Sequence, residues 1–381
     1  MKFLFINLGE GSVPHGSGGT ERISNIAKEF RVANHKCEFL GTIGLKRFLE
    51  FRKVEVKVNI IRLPNFLLRE RSKFHRLLTY FWASLKIPKS LKGLSCDIVY
   101  SASDFFPDVF GSIWCKRNRF SCRWVAIIHH EAKLNRVNIF TTFSSSIIVL
   151  LQKFSWYLIS KKADLVLFYD SNEGRAISKK NFFKGKKLGF VRNGIDFGLI
   201  LEAKPSDLSL DILLCGGPRQ SKGVMDIPPL LNLIKHRFPK VTVGIAGHGT
   251  DKVIAALTLE LKAIGMESNV IFLGNLSKMI LYSIMKSARM ILSLSYEEGW
   301  GIAMREGIAC GRPCVAYRLP AFDSLERHLT FVELGDFEAM STEVINLLST
   351  KKLKNERLDV FMGESWSNVA RQELSLILDN L

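Results

Sequence analysis

The sequence has no apolar run long enough to cross a membrane. Its most apolar stretch, residues 139–159, contains Gln152, Lys153 and several Ser and Thr residues, whereas a membrane span needs about 20 predominantly apolar residues. The apolar residues between Lys2 and Gly9 are too few for the core of a signal peptide, so they predict a first β-strand. We therefore expect a cytoplasmic protein in which residues 139–159 form a buried helix.

Cysteine is sparse and follows no ligand pattern. The seven cysteines are an odd number, and no Cys-x-x-Cys pair occurs among them. This spacing indicates neither a disulfide framework nor a zinc site. The Gly-rich P-loop motif of many nucleotide-binding proteins is also missing.

Negative charge is scarce in the first half of the chain. Residues 1–200 carry 34 Lys and Arg against 15 Asp and Glu, a net charge of +19, whereas residues 201–381 carry 20 against 21. Such an asymmetry predicts two domains. We expect the basic domain to face an acidic partner such as phosphates, anionic lipid or nucleic acid.

Short apolar runs alternate with segments of helical periodicity along the whole chain. Runs such as 2–8, 97–102 and 124–129 predict strands, and residues 20–32 and 72–85 predict helices. In the amphipathic helix 72–85, Phe81 and Leu85 lie on the apolar side, and in 139–159 the apolar positions, Leu150 and Phe154 among them, follow helical spacing. The alternation restarts at residue 211 after the turn residues near 193–205, and a final helix is expected at 367–378. This pattern predicts two consecutive, doubly wound α/β units with parallel sheets.

The segment 294–317 carries the strongest chemical signal. It reads LSYEEGWGIAMREGIACGRPCVAY, in which an apolar strand is followed by glycines, a helix-compatible run and a second strand. Glu298 lies at the expected start of the helix and Glu306 about one and a half turns inside it. Because Gly299 and Gly301 leave the first backbone amides uncovered, the helix start can bind an anion or a hydroxyl group.

This segment resembles the Glu-x7-Glu signature of retaining glycosyltransferases of family 4. The family pattern is close to S-x-x-E-G-F-G-x-x-x-x-E-A-x-A-x-G-x-P-V-V-A, from which Trp300, Gly307 and Cys314 are modest departures. The resemblance implies the GT-B fold, with two facing Rossmann-like domains and a cleft between them. The implied domains are an acceptor-binding domain at 1–196, a nucleotide-sugar-binding domain at 197–364, and a helix at 365–381 that crosses back to the first domain.

The resemblance also implies the residues of the donor site. Glu298 would contact the sugar, Glu306 the ribose, and Lys222, in the segment 213–224, the diphosphate. The family's usual arginine position holds Gly217, so Arg219 would act from a shifted place or lie on the surface. The remaining donor-binding positions follow the signature and the first glycine-rich loop: Gly18, Gly19, Gly299, Trp300, Gly301 and Ile302.

Two further positions have alternatives that the sequence leaves open. A histidine after the strand 124–129 often touches the donor sugar in this family, and His129 fits by register, with His130 as the second choice. A buried or surface histidine is the other interpretation. Glu21 fits the acceptor side, but a glutamate in the first turn of a helix also stabilises the helix dipole.

The resemblance implies that neither a metal nor another cofactor is needed. No two aspartates are separated by one residue, and such a pair usually holds the divalent ion in sugar transferases of the other large fold. Lys222 and Arg219 would supply the positive charge in its place. A nucleotide-sugar is then a substrate and not a cofactor.

Cations and aromatic residues are interleaved in the basic half, at 46–92 and 178–187. Interfacial helices combine Lys and Arg with Trp, Phe and Leu in this way, which predicts peripheral attachment to the cytoplasmic face of an anionic membrane. A solvated basic surface is the plain alternative. Nucleic-acid binding is disfavoured because no recognition motif accompanies the charge.

Together these features predict a retaining hexosyltransferase that moves a sugar from a nucleotide-sugar to an acceptor hydroxyl. The expected acceptor is a lipid-linked saccharide or glycolipid in surface polysaccharide biosynthesis. A nucleotide-sugar epimerase of the same fold is the alternative enzyme, although the additional carboxylates for its acid–base chemistry are not evident. A basic nucleic-acid-binding protein is the non-enzymatic alternative.

Overall fold

In a computed structural model of the protein, the described residues are 1–9, 18–67, 73–118, 122–132, 139–350 and 358–381. They divide into two compact units. Unit 1 comprises Met1–Gly194 and Trp366–Leu381, and unit 2 comprises Ile195–Ser365. In chain order, unit 2 is therefore an insertion into unit 1.

The described residues of unit 1 form a seven-stranded parallel sheet. Its strands are β1 (Lys2–Asn7), β2 (Lys36–Gly41), β3 (Lys57–Ile60), β4 (Ile98–Ser101), β5 (Arg123–Ile128), β6 (Leu165–Tyr169) and β7 (Leu188–Val191). Their spatial order is β3-β2-β1-β4-β5-β6-β7. The order reverses between β1 and β4, and ligands of such sheets bind beyond the carboxyl ends of the strands at this point.

Helices accompany the strands of unit 1. They are α1 (Gly18–Val32), α2 (Ile43–Phe51), α3 (Lys73–Ser90), α4 (Phe106–Asn118), α5 (Ile139–Lys162), α6 (Asn172–Ser178) and, from the end of the chain, α13 (Trp366–Asn380). The central strands are buried almost throughout, which is typical of a parallel sheet covered by helices. Phe3, Phe5 and Trp124 are among the largest fully buried side chains.

The orientation expected for two helices of unit 1 is wrong. Residues 139–159 are helical, but Leu150 and Phe154 face solvent, while Gln152 and Trp156 face the core. The buried amide is satisfied because the Gln152 Nε2 donates to Asp104 Oδ2 at 2.8 Å and the Trp156 Nε1 donates to the same oxygen at 2.8 Å. Apolar spacing alone therefore selected the wrong face.

The same reversal occurs in α3. The sequence pattern places Phe81 and Leu85 on the core side, yet both are exposed and the neighbouring positions Ala83 and Ile87 are buried. The buried side of this helix also includes Ser84, whereas the bulky Phe81 and Leu85 remain outside. Helices α3 and α5 thus present apolar stripes to solvent.

The described residues of unit 2 form a six-stranded parallel sheet of the order β10-β9-β8-β11-β12-β13. The strands are β8 (Ile212–Cys215), β9 (Val243–Ala246), β10 (Val270–Gly274), β11 (Met290–Ser293), β12 (Cys314–Tyr317) and β13 (Thr330–Val332). The helices are α7 (Phe197–Glu202), α8 (Ile227–Ile234), α9 (Asp251–Ala263), α10 (Lys278–Ser287), α11 (Ile302–Ala309) and α12 (Phe337–Ser349). The predicted class of two doubly wound α/β units is confirmed.

Candidate active site

Strands β8 and β11 are parallel neighbours in unit 2, so the loops after them leave the same edge of the sheet. The β8 loop approaches the β9 loop closely, since a Cβ on Gly217 would lie 2.2 Å from the His248 carbonyl oxygen. Gly217 also has φ +75°, a left-handed conformation that favours glycine. Because glycine occupies the usual arginine position, the loop can make this close approach.

Lys222 and Glu298 meet at this edge. The Lys222 Nζ lies 2.5 Å from Glu298 Oε1, and the Ser295 hydroxyl donates to the same oxygen at 2.9 Å. Gly223, the next residue, has φ +65°, and a Cβ there would lie 1.8 Å from the Leu294 carbonyl oxygen. The Lys-Gly dipeptide therefore lets the β8 loop reach the β11 loop, and the two predicted site residues are brought together.

The second part of the site is the start of α11. Gly301 is the N-cap with φ +73°, and a Cβ there would contact the Phe322 ring at 2.2 Å. The first bonds of the helix run from Met304 N and Arg305 N to the Gly301 carbonyl, at 3.1 and 3.2 Å. The Ile302 amide precedes them and points along the helix axis, as amides at a helix start do. The space around the Gly299 Cα is open.

The Trp300 side chain packs on the buried side of this loop. Its ring is buried, with the Arg305 guanidinium carbon 4.4 Å from the ring centroid. Arg305 Nη1 donates to the Trp300 carbonyl at 2.6 Å, and its Nε donates to Glu364 at 3.0 Å. Trp300 therefore presents backbone and not indole to the open side. Arg305, which sequence reasoning missed, holds the loop between Glu298 and α11.

Glu306 lies inside α11, and its side chain is only 4% exposed. Lys278 Nζ donates to Glu306 Oε1 at 2.5 Å, and the Tyr282 hydroxyl donates to the same oxygen at 2.7 Å. Burial and the Glu306 charge raise the pKa of Cys310 to about 12, so this thiol stays protonated at neutral pH. Sequence reasoning missed both partners of Glu306.

Arg219 occupies a different environment from Lys222. Its side chain is exposed, and its Nε donates to the Gly216 carbonyl at 2.8 Å. The guanidinium therefore lies on the surface of the β8 loop, in the segment that also holds Lys222. Whether it takes the role of the family's arginine stays a prediction.

In unit 1, the candidate residues Gly18 and Gly19 begin α1. Residues 10–17, which precede them, lie outside the described residues. Apart from its chain neighbours and the backbone of α1, no described residue places an atom within 4 Å of the position that a Cβ on Gly18 would take. Glu21 lies in the first turn and accepts a hydrogen bond from the Arg52 Nε at 2.9 Å. Its carboxylate is thus paired within unit 1, which accords with either role considered for it.

His129 follows β5 and has a partner for each ring nitrogen. Its Nε2 lies 2.9 Å from the Ala102 carbonyl oxygen, so this nitrogen carries a proton, while the Nδ1 lies 3.4 Å from the Tyr169 hydroxyl. Burial lowers the pKa of His129 to about 4, so the ring is neutral at pH 7. His130 is exposed, and its carbonyl accepts a hydrogen bond from Gln152 at 2.8 Å.

A buried ion pair lies beside this histidine. The Arg22 Nη2 on α1 donates to Glu373 Oε2 on α13, and the Tyr100 hydroxyl donates to Glu373 Oε1 at 2.7 Å. The Arg22 guanidinium also lies 5.9 Å from the centroid of the Tyr169 ring. Burial acts to lower the pKa of Arg22, but the Glu373 carboxylate raises it above its ordinary value. The pair joins α13 to the helix that begins at Gly18.

Two negative findings apply to the described residues. No group of three or more His, Cys, Asp or Glu side chains there could hold a metal ion. Among the same residues, no helix is both long and apolar enough to cross a membrane.

Comparisons with known proteins place this site in a family context. Residues 210–350 match the family model described as glycosyl transferases group 1, and this segment contains Lys222, Lys278, Glu298 and Glu306. A part of 106 residues is 29% identical to N-acetyl-alpha-D-glucosaminyl L-malate synthase of Bacillus anthracis. That match covers 27% of this chain and 26% of the relative, so it spans about a quarter of each protein.

Solved structures resemble the whole chain. Sucrose-phosphate synthase of Thermosynechococcus elongatus has a TM-score of 0.78 at 13% identity, covering 99% of this chain and 98% of that one. HepE of Anabaena, in complex with UDP and glucose, has a TM-score of 0.73 at 16% identity, covering both chains fully. TarM of S. aureus has a TM-score of 0.70 at 14% identity, covering 98% and 99%. At these identities the likeness shows a common fold.

Proposed function

We propose that this chain, which has the GT-B fold and matches the group 1 glycosyl transferase model over residues 210–350, transfers a sugar from a nucleotide-sugar to an acceptor hydroxyl. The observation that carries the proposal is the pairing of Lys222 with Glu298 at the open start of α11, with Glu306 in the same helix. In this assignment, Lys222 binds the diphosphate, Glu298 accepts from sugar hydroxyls, and Glu306 accepts from the ribose. From unit 1, Gly18 and Gly19 are assigned to donor binding and Glu21 to the acceptor side.

Lys222 suits the diphosphate because it carries a positive charge on a partly exposed side chain. Only one of its three protons is directed to Glu298, so the others can reach phosphate oxygens. Charge develops on the diphosphate as the sugar leaves, and a cation fixed at that place stabilises the transition state. The Ile302 amide at the start of α11 adds a neutral donor for the same anion.

The proposed reaction retains the configuration of the sugar. The bond between sugar C1 and the diphosphate oxygen breaks, and a bond between C1 and the acceptor oxygen forms on the same face. The acceptor proton passes to a phosphate oxygen, and the nucleoside diphosphate leaves. The protein supplies positioning and charge stabilisation, so no nucleophilic side chain is required.

A binding panel followed by product analysis tests this proposal. The full chain is titrated with UDP, GDP, ADP, CDP and TDP by calorimetry, because a folded donor site should bind at least one of them. The sugar-nucleotide of the base that binds is then incubated without acceptor. Slow release of nucleoside diphosphate supports transfer, whereas conversion to an epimeric sugar-nucleotide would favour the epimerase. Proton NMR of the transferred sugar decides retention, and an inverted product would contradict it.

We further propose that the transfer needs no divalent metal, because Lys222 supplies the charge that a metal would bring. Activity is expected to survive EDTA at a concentration above that of all contaminating metals. Loss of activity that magnesium or manganese restores would contradict this part of the proposal. The same assay with Lys222→Ala serves as the reference for a site without its cation.

The acceptor is proposed to be lipid-linked, because unit 1 has a surface that suits an anionic membrane. We call it the three-helix surface, formed by the exposed residues of α3, α4 and α5, which pack side by side in this order. The Tyr80 and Phe105 rings lie 6.0 Å apart, and so do those of Phe106 and Phe154. Apolar groups thus extend from α3 through the start of α4 to α5.

Charge on this surface has one sign. Helices α3 and α5 contain no Asp or Glu, and the only acidic residue of α4, Asp108, is buried. Lys86, Lys89 and Lys161 are exposed on the same helices. Cations near an anionic leaflet contribute about 1 kcal/mol each, and the apolar groups add insertion to attraction. The basic positions Lys73 and Arg76 belong to α3, but their side chains lie outside the described part.

Vesicle co-sedimentation tests the attachment with a matched pair of variants. Leu150 on α5 is 69% exposed, and Leu259 on α9 of unit 2 is 68% exposed. We expect Leu150→Asp to weaken binding to vesicles containing anionic lipid by at least about threefold, while Leu259→Asp has no effect. Binding should also fall at high salt. Equal effects of the two variants, or equal binding to neutral vesicles, would contradict attachment through the three-helix surface.

A further inference from the structure

Glu306 occupies a place where an ionised carboxylate needs compensation. Its side chain is almost completely buried, yet the proposed function requires it to accept a hydrogen bond from a ribose hydroxyl. A buried charge without a partner is costly, and a buried carboxylate without one takes up a proton.

Both compensating groups come from one face of α10. Lys278 and Tyr282 are four residues apart, so they lie on adjacent turns of the same side. The Lys278 Nζ is 5.6 Å from the centroid of the Tyr282 ring, and both side chains reach Glu306 Oε1. Tyr282 is fully buried, which fixes the position of its hydroxyl.

The position of Lys278 in α10 favours a role in its contact with Glu306 over a role in stabilising α10. It is the first residue of α10, directly after the N-cap Ser277. A cation at a helix start is disfavoured by the helix dipole, so its position works against the stability of α10. The ion pair with Glu306, on another helix, compensates for this cost.

The two carboxylate oxygens of Glu306 differ in their hydrogen bonds. Lys278 and Tyr282 both donate to Oε1, and in the part of the chain that the structure describes no hydrogen bond ends on Oε2. Two donors on one oxygen fix the plane of the carboxylate and its rotation. Oε2 is then held as an acceptor for a ligand hydroxyl that approaches α11.

We propose that Lys278 and Tyr282 are positioning residues that make Glu306 select ribose over 2′-deoxyribose in the nucleotide. The inference rests on the proposed function, since it assigns a nucleotide to the same site. A site built to bind a hydroxyl rejects an analogue that lacks it, because the buried acceptor is left without its donor. The 2′-hydroxyl is the group that separates the two sugars.

The test measures a ratio of affinities and not an activity. Calorimetry with the full chain first identifies a ribonucleoside diphosphate that binds, and its 2′-deoxy counterpart is then titrated under the same conditions. We expect the ribonucleotide to bind at least about tenfold more tightly to the wild-type protein. Lys278→Met should reduce this preference to less than about threefold, and Lys278→Arg should restore most of it.

Tyr282→Phe provides a second variant that removes only one hydroxyl group. It should reduce the preference by a smaller factor than Lys278→Met, because the ion pair remains. Lys252→Met, at an exposed position of α9, should leave the ratio unchanged. A purely structural role of Lys278 would weaken both nucleotides equally and keep the ratio, and this result would overturn the inference.

The outcomes separate the inference from the proposed function. If no nucleoside diphosphate binds, the proposed function fails and the inference fails with it. If a diphosphate binds but the wild-type protein shows no preference for ribose, only the inference is overturned. Preference for TDP, a 2′-deoxynucleotide, over the four ribonucleotides would overturn it as well.

Discussion

One ion pair in unit 1 and one in unit 2 differ in how far their charges are exposed to solvent. In unit 1, Arg22 and Glu373 are each 1% exposed and are paired with one another and with Tyr100, whereas the Arg22 Nε has no hydrogen-bond partner among the described residues. In unit 2, Lys222 and Glu298 are each nearly one-fifth exposed, and each is bound by few groups at an open loop. The first pair faces only the protein, which makes it structural, whereas the second keeps an open side for a ligand. The buried Glu306 lies between these cases, because its protein donors occupy only Oε1. The difference assigns stability to the first pair and binding to the second.

Arg22→Met should produce the largest effect, on stability. Removing one partner of a buried ion pair leaves an uncompensated charge on Glu373 and costs about 3–5 kcal/mol. Urea unfolding followed by tryptophan fluorescence measures this change in unit 1, which holds five of the six tryptophans. Exposed Arg117→Met is the control. If Arg22→Met lowers the free energy of unfolding by less than about 1 kcal/mol, the ion pair of Arg22 and Glu373 is not the structural pair that the comparison requires.

Lys222→Ala should affect transfer and not stability. We expect activity to fall at least about tenfold, and up to the hundredfold or more that corresponds to about 2.7–4 kcal/mol at a developing charge. Glu306→Ala should also lower activity at least about tenfold. Arg219→Ala is expected to cost less than Lys222→Ala, because its side chain is exposed. Wild-type turnover of folded Lys222→Ala would contradict the site assignment.

His129 should give the smallest effect, and only at acidic pH. Burial lowers its pKa from about 6.5 to about 4 in the folded state, so between these values the unfolded state binds more protons. The free energy of unfolding therefore decreases as pH falls through this window, by about 1.4 kcal/mol per pH unit and at most about 3 kcal/mol.

Unfolding of unit 1 at pH 7, 6 and 5 checks the sign. His129→Gln should remove this part of the pH dependence, and the exposed His236→Gln should retain it. A steeper loss of stability in His129→Gln than in the wild-type protein would show that the ring is charged in the folded state. In that case His129 would be a charged group in the folded protein, as Lys222 and Glu298 are.

Several features were predictable because their signals are local in sequence. The parallel α/β units follow from alternating runs, and the resemblance to GT-B group 1 glycosyltransferases, carried by the segment 294–317, is confirmed. Its assignment to family 4 stays a prediction. The strands β7 and β13 were not predicted, because each lies in a shorter apolar run than the one that predicted β4.

Other features depend on contacts that sequence spacing does not encode. Arg22 and Glu373 are 351 positions apart, and nothing around either residue identifies the other. The sequence predicts the wrong buried face for α3 and α5. Apolar residues at helical spacing show that a helix has an apolar side, but not whether that side faces the core or the solvent. Lys278 did leave a signal, since a cation at the start of a helix is unfavourable and suggests a partner elsewhere.

The insertion of unit 2 into unit 1 has a consequence for synthesis on the ribosome. Ile195 and Ser365 form a bridge, and Ile195 N donates to the Glu364 carbonyl at 2.9 Å, so unit 2 starts and ends at one point. Unit 2 contains all of its strands and helices between these two residues, so its fold does not require α13. Residues 1–194 are synthesised first, but Arg22 meets Glu373 only after α13 has been made. A chain that stops before residue 366 would therefore contain all of unit 2 and lack the last helix of unit 1.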